Sequence, residues 1–136
     1  MECEFCNYNT TVDPGTIVYE DEEYIAFISK SPVTNGHCVL IAKGHYNFIS
    51  EIKDLTRLFR FVGYLSQAIK DAVKADHVRL ETLYNDNKTG SSHFSMQLIP
   101  SYTSDTDRKS AEKISDADVR ILENLRKSQW YDTLNA

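Results

Sequence analysis

The sequence predicts an α+β domain, and three observations carry that prediction. Five short runs of β-branched or alternating apolar residues lie between turn signals, as half-buried strands do. The first two are joined by a short charged turn, which makes them an antiparallel hairpin. One long stretch, about Asp54 to Ala75, repeats apolar residues three and four positions apart, the stripe of an amphipathic helix.

Asp13-Pro14-Gly15 is a turn signal, and Thr16 to Tyr19 reads as the first strand. Asp21-Glu22-Glu23 turns the chain into the second strand, Tyr24 to Ile28. Pro32 ends that pairing, and Asn35-Gly36 marks a second tight turn. His37 to Ala42 is an apolar run suited to a central strand, with Cys38 as a small core residue. The long helix carries Leu55, Leu58, Val62, Leu65, Ile69 and Val73 on its stripe, with Asp54 as N-cap. Phe59, Phe61 and Tyr64 sit off the stripe. Val78 to Tyr84 is the fourth strand, with Val78, Leu80, Thr82 and Tyr84 on one face. A polar loop, 85–90, precedes the fifth strand, which begins at His93. Residues 101–114 lack periodicity and read as a loop. Ser115 caps a C-terminal helix running to about Ser128 on Val119, Ile121, Leu122 and Leu125, and Trp130 and Tyr131 dock the tail.

A chain of 136 residues is long enough to bury one core, and residues 1–136 read as a single domain. No run of 18 apolar residues suits a membrane span, and no secretion signal is present. The formal net charge of −5 and the scattered lysines and arginines argue against nonspecific binding to nucleic acid or an anionic membrane. Three cysteines without a secretion signal point to a reduced, cytoplasmic protein and not a disulfide framework.

Two motifs carry chemistry. Cys3 and Cys6 have zinc-knuckle spacing, which supplies two of the four ligands of a closed site. His37, His45, His77 and His93 are candidates for the others. A redox pair or two incidental thiols are the competing readings. In His93-Phe94-Ser95-Met96-Gln97-Leu98-Ile99-Pro100, alternation puts His93, Ser95 and Gln97 on one face and Phe94, Met96 and Leu98 on the other. Three polar groups on one strand face can line a site, and an ordinary solvent-facing strand shows the same alternation.

That stretch resembles the histidine triad (HIT) motif, His-φ-His-φ-His-φ-φ followed by Pro. His93 matches the first histidine, Ser95 stands at the second position and Gln97 at the third. Val18-Tyr19-Glu20-Asp21, Ala26-Phe27, Pro32 and the run from Gly36 to His45 match further family segments in order, so the likeness covers about residues 3–102. It implies a HIT-like fold, an antiparallel sheet of about five strands with one long helix, and a zinc bound by Cys3, Cys6, His45 and His93. It also implies a purine-nucleotide pocket lined by Phe27, Ser29, Asn85, Ser91, Ser92, Ser95 and Gln97. A homodimer is a further implication, with Phe59, Phe61 and Tyr64 expected at its interface.

In the family the middle histidine attacks the α-phosphate and carries the nucleotidyl group. An imidazole is nucleophilic while neutral near pH 7 and leaves readily. A serine hydroxyl at position 95 needs a base, and His93 can serve as that base only if it does not bind zinc. Ser29 also stands where the family has an acidic residue against the ribose. The expectation is therefore a zinc-bearing nucleotide-binding protein whose nucleotidyl hydrolase or transferase activity is absent or weak. The alternatives are an active enzyme with altered chemistry through Ser95 or Gln97, and a pure interaction module.

Overall fold

A computed structural model describes residues 6–82 and 93–103. The N-terminal arm carries a single helical turn, α1 (Tyr8–Thr11), and a 3-10 turn over Pro14–Thr16. The side chain of Asp13 caps that turn by accepting from the Gly15 N–H at 2.9 Å. Five strands follow: β1 (Ile17–Glu20), β2 (Tyr24–Ile28), β3 (Cys38–Ala42), β4 (His77–Thr82) and β5 (Ser95–Ser101). The long helix α2 (Leu55–Val73) lies between β3 and β4.

The strands form one sheet in the order β1-β2-β3-β5-β4, with every neighbouring pair antiparallel. The two hairpins expected from Asp21 and from Gly36 set the first three strands side by side. The Asp21 carboxylate accepts from the backbone N–H of Glu23 and of Tyr24, both at 2.7 Å, which closes the first turn. Gly36 has φ +90°, a conformation that side chains disfavour. A Cβ there would also meet Val73 Cγ1 at 2.9 Å.

α2 forms because its stripe is wide. Leu58, Phe61, Val62, Leu65, Ala68, Ile69, Ala72 and Val73 are all buried. Asp54 caps it by accepting from the Arg57 N–H at 2.9 Å, and Lys74 ends it in the left-handed conformation. Arg57 ties this end to the first hairpin through Asp21 at 3.0 Å and Glu23 at 2.6 Å. The helix covers one face of the sheet, where Ala26, Leu40, Ala42, Met96 and Leu98 complete the main core. The opposite face carries a smaller cluster of Ile25, Phe27, Val39 and Ile41, covered by Val12 with Tyr8 and Ile17 packed alongside.

Two expectations change. Phe61 does not sit off the stripe: it is fully buried and meets Tyr19 with ring centroids 4.7 Å apart. A contact face wider than the Leu/Val/Ile row takes it in, so it cannot serve an interface. Tyr64 is partly buried against the same core, while Phe59 is exposed. The fifth strand begins at Ser95, because His93 and Phe94 precede the paired segment. The expected helix at 115–128, Trp130 and Tyr131 lie outside the described residues.

Candidate metal centre and cavity

β3 and β5 run antiparallel with Ile41 opposite Ser95, so the end of β3 meets the start of β5. The chain leaving β3 passes through Gly44 to His45. The chain entering β5 brings His93. The Phe94 N–H donates to the Tyr46 carbonyl at 2.5 Å and locks the two segments together. The N-terminal arm closes the third side. Tyr8 packs on the small cluster, and the Lys43 ammonium sits 5.4 Å from the centre of its ring while pairing with Glu20. Cys6, just before α1, is thereby set against both histidines.

Cys6 Sγ lies 3.1 Å from His45 Nδ1 and 3.5 Å from His93 Nδ1. The three atoms fall within 4.8 Å of one another. The outer nitrogens settle the tautomers. His93 is buried, and its Nε2–H donates to the Ala42 carbonyl at 2.6 Å; His45 Nε2–H donates to Asn47 Oδ1 at 3.1 Å. Each Nδ1 is then a lone pair aimed at the sulfur. Tetrahedral zinc holds sulfur and nitrogen donors roughly 3.3–3.8 Å apart, so the donor chemistry and the Cys6–His93 spacing fit the ion, while the 3.1 Å Cys6–His45 approach is slightly shorter than a bound ion would set. A ligating histidine whose second nitrogen is held by a carbonyl is the usual outer-shell arrangement. Cys3 lies outside the described residues. His37 and His77 do not join the cluster: His37 bonds elsewhere, and His77 is exposed on β4 opposite Ser101.

On the sheet face away from α2, a cavity of about 270 Å³ opens beside β2, β3 and β5. Phe27 and Val39 form its apolar wall with Val12, and Ser29, Lys30 and Gln97 provide polar edges. Two expected pocket residues, Phe27 and Ser29, are thus brought together with Gln97. Ser95 is buried on the same strand face, one alternation step from Gln97 toward the metal cluster. Asn85, Ser91 and Ser92 lie outside the described residues.

His37 is 4% exposed, and its role beside this cavity escaped the sequence reading. Its Nδ1 accepts from the Val33 N–H at 3.1 Å, so its proton resides on Nε2, which donates to Gln97 Oε1 at 2.6 Å. Burial pushes its pKa below the ordinary histidine value, against the smaller opposing effect of the Gln97 bond. The imidazole is therefore neutral at pH 7. Lys30, Thr11 and Val12 were also missed as lining residues; the only available signal was the alternation that puts His37, Val39 and Ile41 on one face.

The HIT domain family model matches residues 10–93, more than half of the chain. An uncharacterised HIT-like protein of Saccharolobus solfataricus is 34% identical over 110 residues, spanning 77% of this chain and 78% of that protein. Protein hit of Bacillus subtilis is 36% identical over 105 residues, 74% of this chain and 71% of its own length. Among solved structures, a hypothetical histidine triad nucleotide-binding protein of Sulfolobus tokodaii is similar at TM-score 0.66 and 29% identity, covering 98% of this chain and 94% of that one. A zinc-bound histidine triad family protein of Mycobacterium smegmatis shares the fold at TM-score 0.71 and 20% identity, covering 98% of both chains.

Proposed function

The chain belongs to the HIT domain family, and from that premise we propose that it is a nucleotide-binding protein, stapled by a structural zinc, that lacks nucleotidyl hydrolase and transferase activity. The observation that carries the loss of activity is the engagement of the histidines. His93 uses Nε2 on Ala42 and turns Nδ1 to Cys6. His37 and His45 likewise have both nitrogens occupied, and His77 sits at the far end of β5. The ring nitrogens of His37, His45 and His93 are thus committed to partners other than the hydroxyl of Ser95. An unassisted serine hydroxyl is a weak nucleophile, and the phosphoester it would form resists hydrolysis.

Cys6, His45 and His93, with Cys3, would hold the zinc. A closed site of this kind supplies folding free energy and no open coordination position for chemistry. The nucleotide's phosphate would meet Gln97 and Ser95, and its base or sugar would lie on Phe27. The described similarity to the Sulfolobus tokodaii protein supports this reading. The same reading takes the protein as a cytoplasmic homodimer whose contact uses the exposed Phe59 of α2 and Leu80 on the edge strand β4.

The test is a thermal-shift titration with purine nucleoside monophosphates, zinc present throughout, beside a turnover assay on an adenosine phosphoramidate. A saturable rise in melting temperature without turnover is the expected outcome, since a ligand of the folded state stabilises it by mass action. Turnover by the unmodified protein would sink the inactivity claim. No shift at millimolar nucleotide would sink the pocket. A monomer mass by light scattering would dispose of the dimer.

A further inference from the structure

The candidate metal cluster and the cavity share one element, the N-terminal arm. Cys6 meets His45 and His93 at one end of that arm. Thr11 and Val12 line the cavity at the other. The link between the ends is short. The carbonyl of Asn7, the residue next to Cys6, accepts from the backbone N–H and from the hydroxyl of both Thr10 and Thr11, at 2.9 to 3.1 Å. The Val12 N–H donates to the Tyr8 carbonyl at 3.0 Å. Where Cys6 is held, the position of this cavity wall follows within one helical turn.

The arm buries little. No residue of α1 is buried. Val12, at 5% exposure, enters the cluster of Ile25, Phe27, Val39 and Ile41, and Tyr8 packs beside it. Ordering residues 7–12 costs backbone entropy at every position, and so small an apolar contact offsets only part of it. β5 also runs between the two sites, but from Ser95 onward it is paired with β3 on one side and β4 on the other, so it has a single arrangement. The arm is the element that can be fastened or loose.

We propose that the arm is a strap coupling the two sites: metal loading at Cys6, His45 and His93 raises the affinity of the cavity for its ligand, and the ligand raises the affinity for the metal by the same factor. A ligand that meets an arm already fastened does not bear the cost of ordering Thr11 and Val12. Linkage makes the effect reciprocal. This coupling rests on the nucleotide reading and adds what regulates that site.

The experiment is calorimetric titration of the full chain with adenosine 5′-monophosphate, zinc-loaded and after chelation, under reducing conditions, with circular dichroism recorded on both forms. The nucleotide is expected to bind the zinc-loaded form about tenfold tighter. Zinc affinity, read by competition with a chromophoric chelator, should rise about tenfold when the nucleotide is saturating. Inserting two glycines between Cys6 and Asn7 keeps every side chain of both sites and loosens their connection. Each ligand should still bind that variant, and the coupling should fall below about twofold. If zinc acted only through overall stability, the insertion would leave the coupling intact, and that result overturns the strap. Equal nucleotide affinity of the zinc-loaded and the folded, chelated protein overturns the coupling and leaves the nucleotide reading standing. If the chelated chain unfolds, the competition measurement decides: zinc affinity unmoved by saturating nucleotide overturns the coupling. If the zinc-loaded protein binds no nucleotide, both fall.

Discussion

The Nε2–H of His93 donates to the carbonyl of Ala42 at 2.6 Å, and this bond decides which nitrogen of His93 faces Cys6. It also joins β3 to the entry of β5, so the orientation of a candidate metal ligand is part of the sheet. Replacing His93 with Ala removes one of the proposed ligands and leaves the buried Ala42 carbonyl without this donor. Metal analysis of His93→Ala and Cys6→Ser is expected to give less than half the zinc of the unmodified protein.

Chelation should destabilise the chain. At free zinc 100 times its Kd, binding contributes about 2.7 kcal/mol. Removing the metal is expected to lower the melting temperature by about 10 °C at that saturation. Calorimetric scans with and without chelator, under reducing conditions, measure this. A protein that holds no zinc and melts unchanged would remove the metal from the account.

Ser95→His supplies the imidazole that the family uses. The residue is buried opposite Ile41, so the larger ring should cost about 1–3 kcal/mol of stability. Adenosine phosphoramidate turnover by this variant is expected to rise about a hundredfold over the unmodified protein, the lower end of the range for a positioned catalytic group. A stable, nucleotide-binding Ser95→His with no turnover would show that the phosphate does not reach position 95.

His37 gives stability a pH dependence. Its folded pKa lies below the unfolded value because burial disfavours the cation. Below about pH 6.5 the unfolded chain binds a proton there that the folded chain does not, so stability falls as pH drops through that value. The charged groups facing it, Glu81 and Arg79, act in opposite directions, and Gln97 favours the charged form less than burial opposes it. Denaturant melts between pH 5 and 7.5 should show a flatter profile for His37→Phe than for the unmodified protein.

Gly36→Ala is expected to destabilise by about 2 kcal/mol or more. The position combines φ +90° with a 2.9 Å approach to Val73 Cγ1, so strain and overpacking add. Equilibrium urea unfolding would read the loss directly; an unchanged midpoint would mean the turn readjusts without strain.

The sheet and the long helix were legible because their signals are local. Asp54 as N-cap, the turn at Asn35-Gly36 and the alternation from His93 to Leu98 each depend on neighbouring residues only. Cys6, His45 and His93 as candidate metal ligands came from resemblance to the family's spacing, since no local pattern joins positions so far apart. Phe61 was misassigned because a row of aliphatic residues suggests a narrower face than the helix buries. The pairing of His37 with Gln97 was out of reach: it depends on β3 lying beside β5, and on which way an amide is turned. Lys30 reads as an ordinary loop lysine until the arm around Thr11 and Val12 is folded over the sheet.

The two histidines that converge with Cys6 at the end of β3 lie 39 and 87 positions from it in the chain. That separation has a consequence for the order of events in folding. The β1-β2-β3 meander joins neighbours in the chain and can form early, but β5 reaches β3 only after the long helix and β4 have been laid down, and closing large loops is slow. The three donors therefore do not exist as a set until the last central strand is seated. On the proposed zinc reading, ion uptake is a clock for completion of the sheet: it should lag the burst of helix signal in a refolding trace, and a chain stalled before β5 docks should take up no zinc despite native-like helicity.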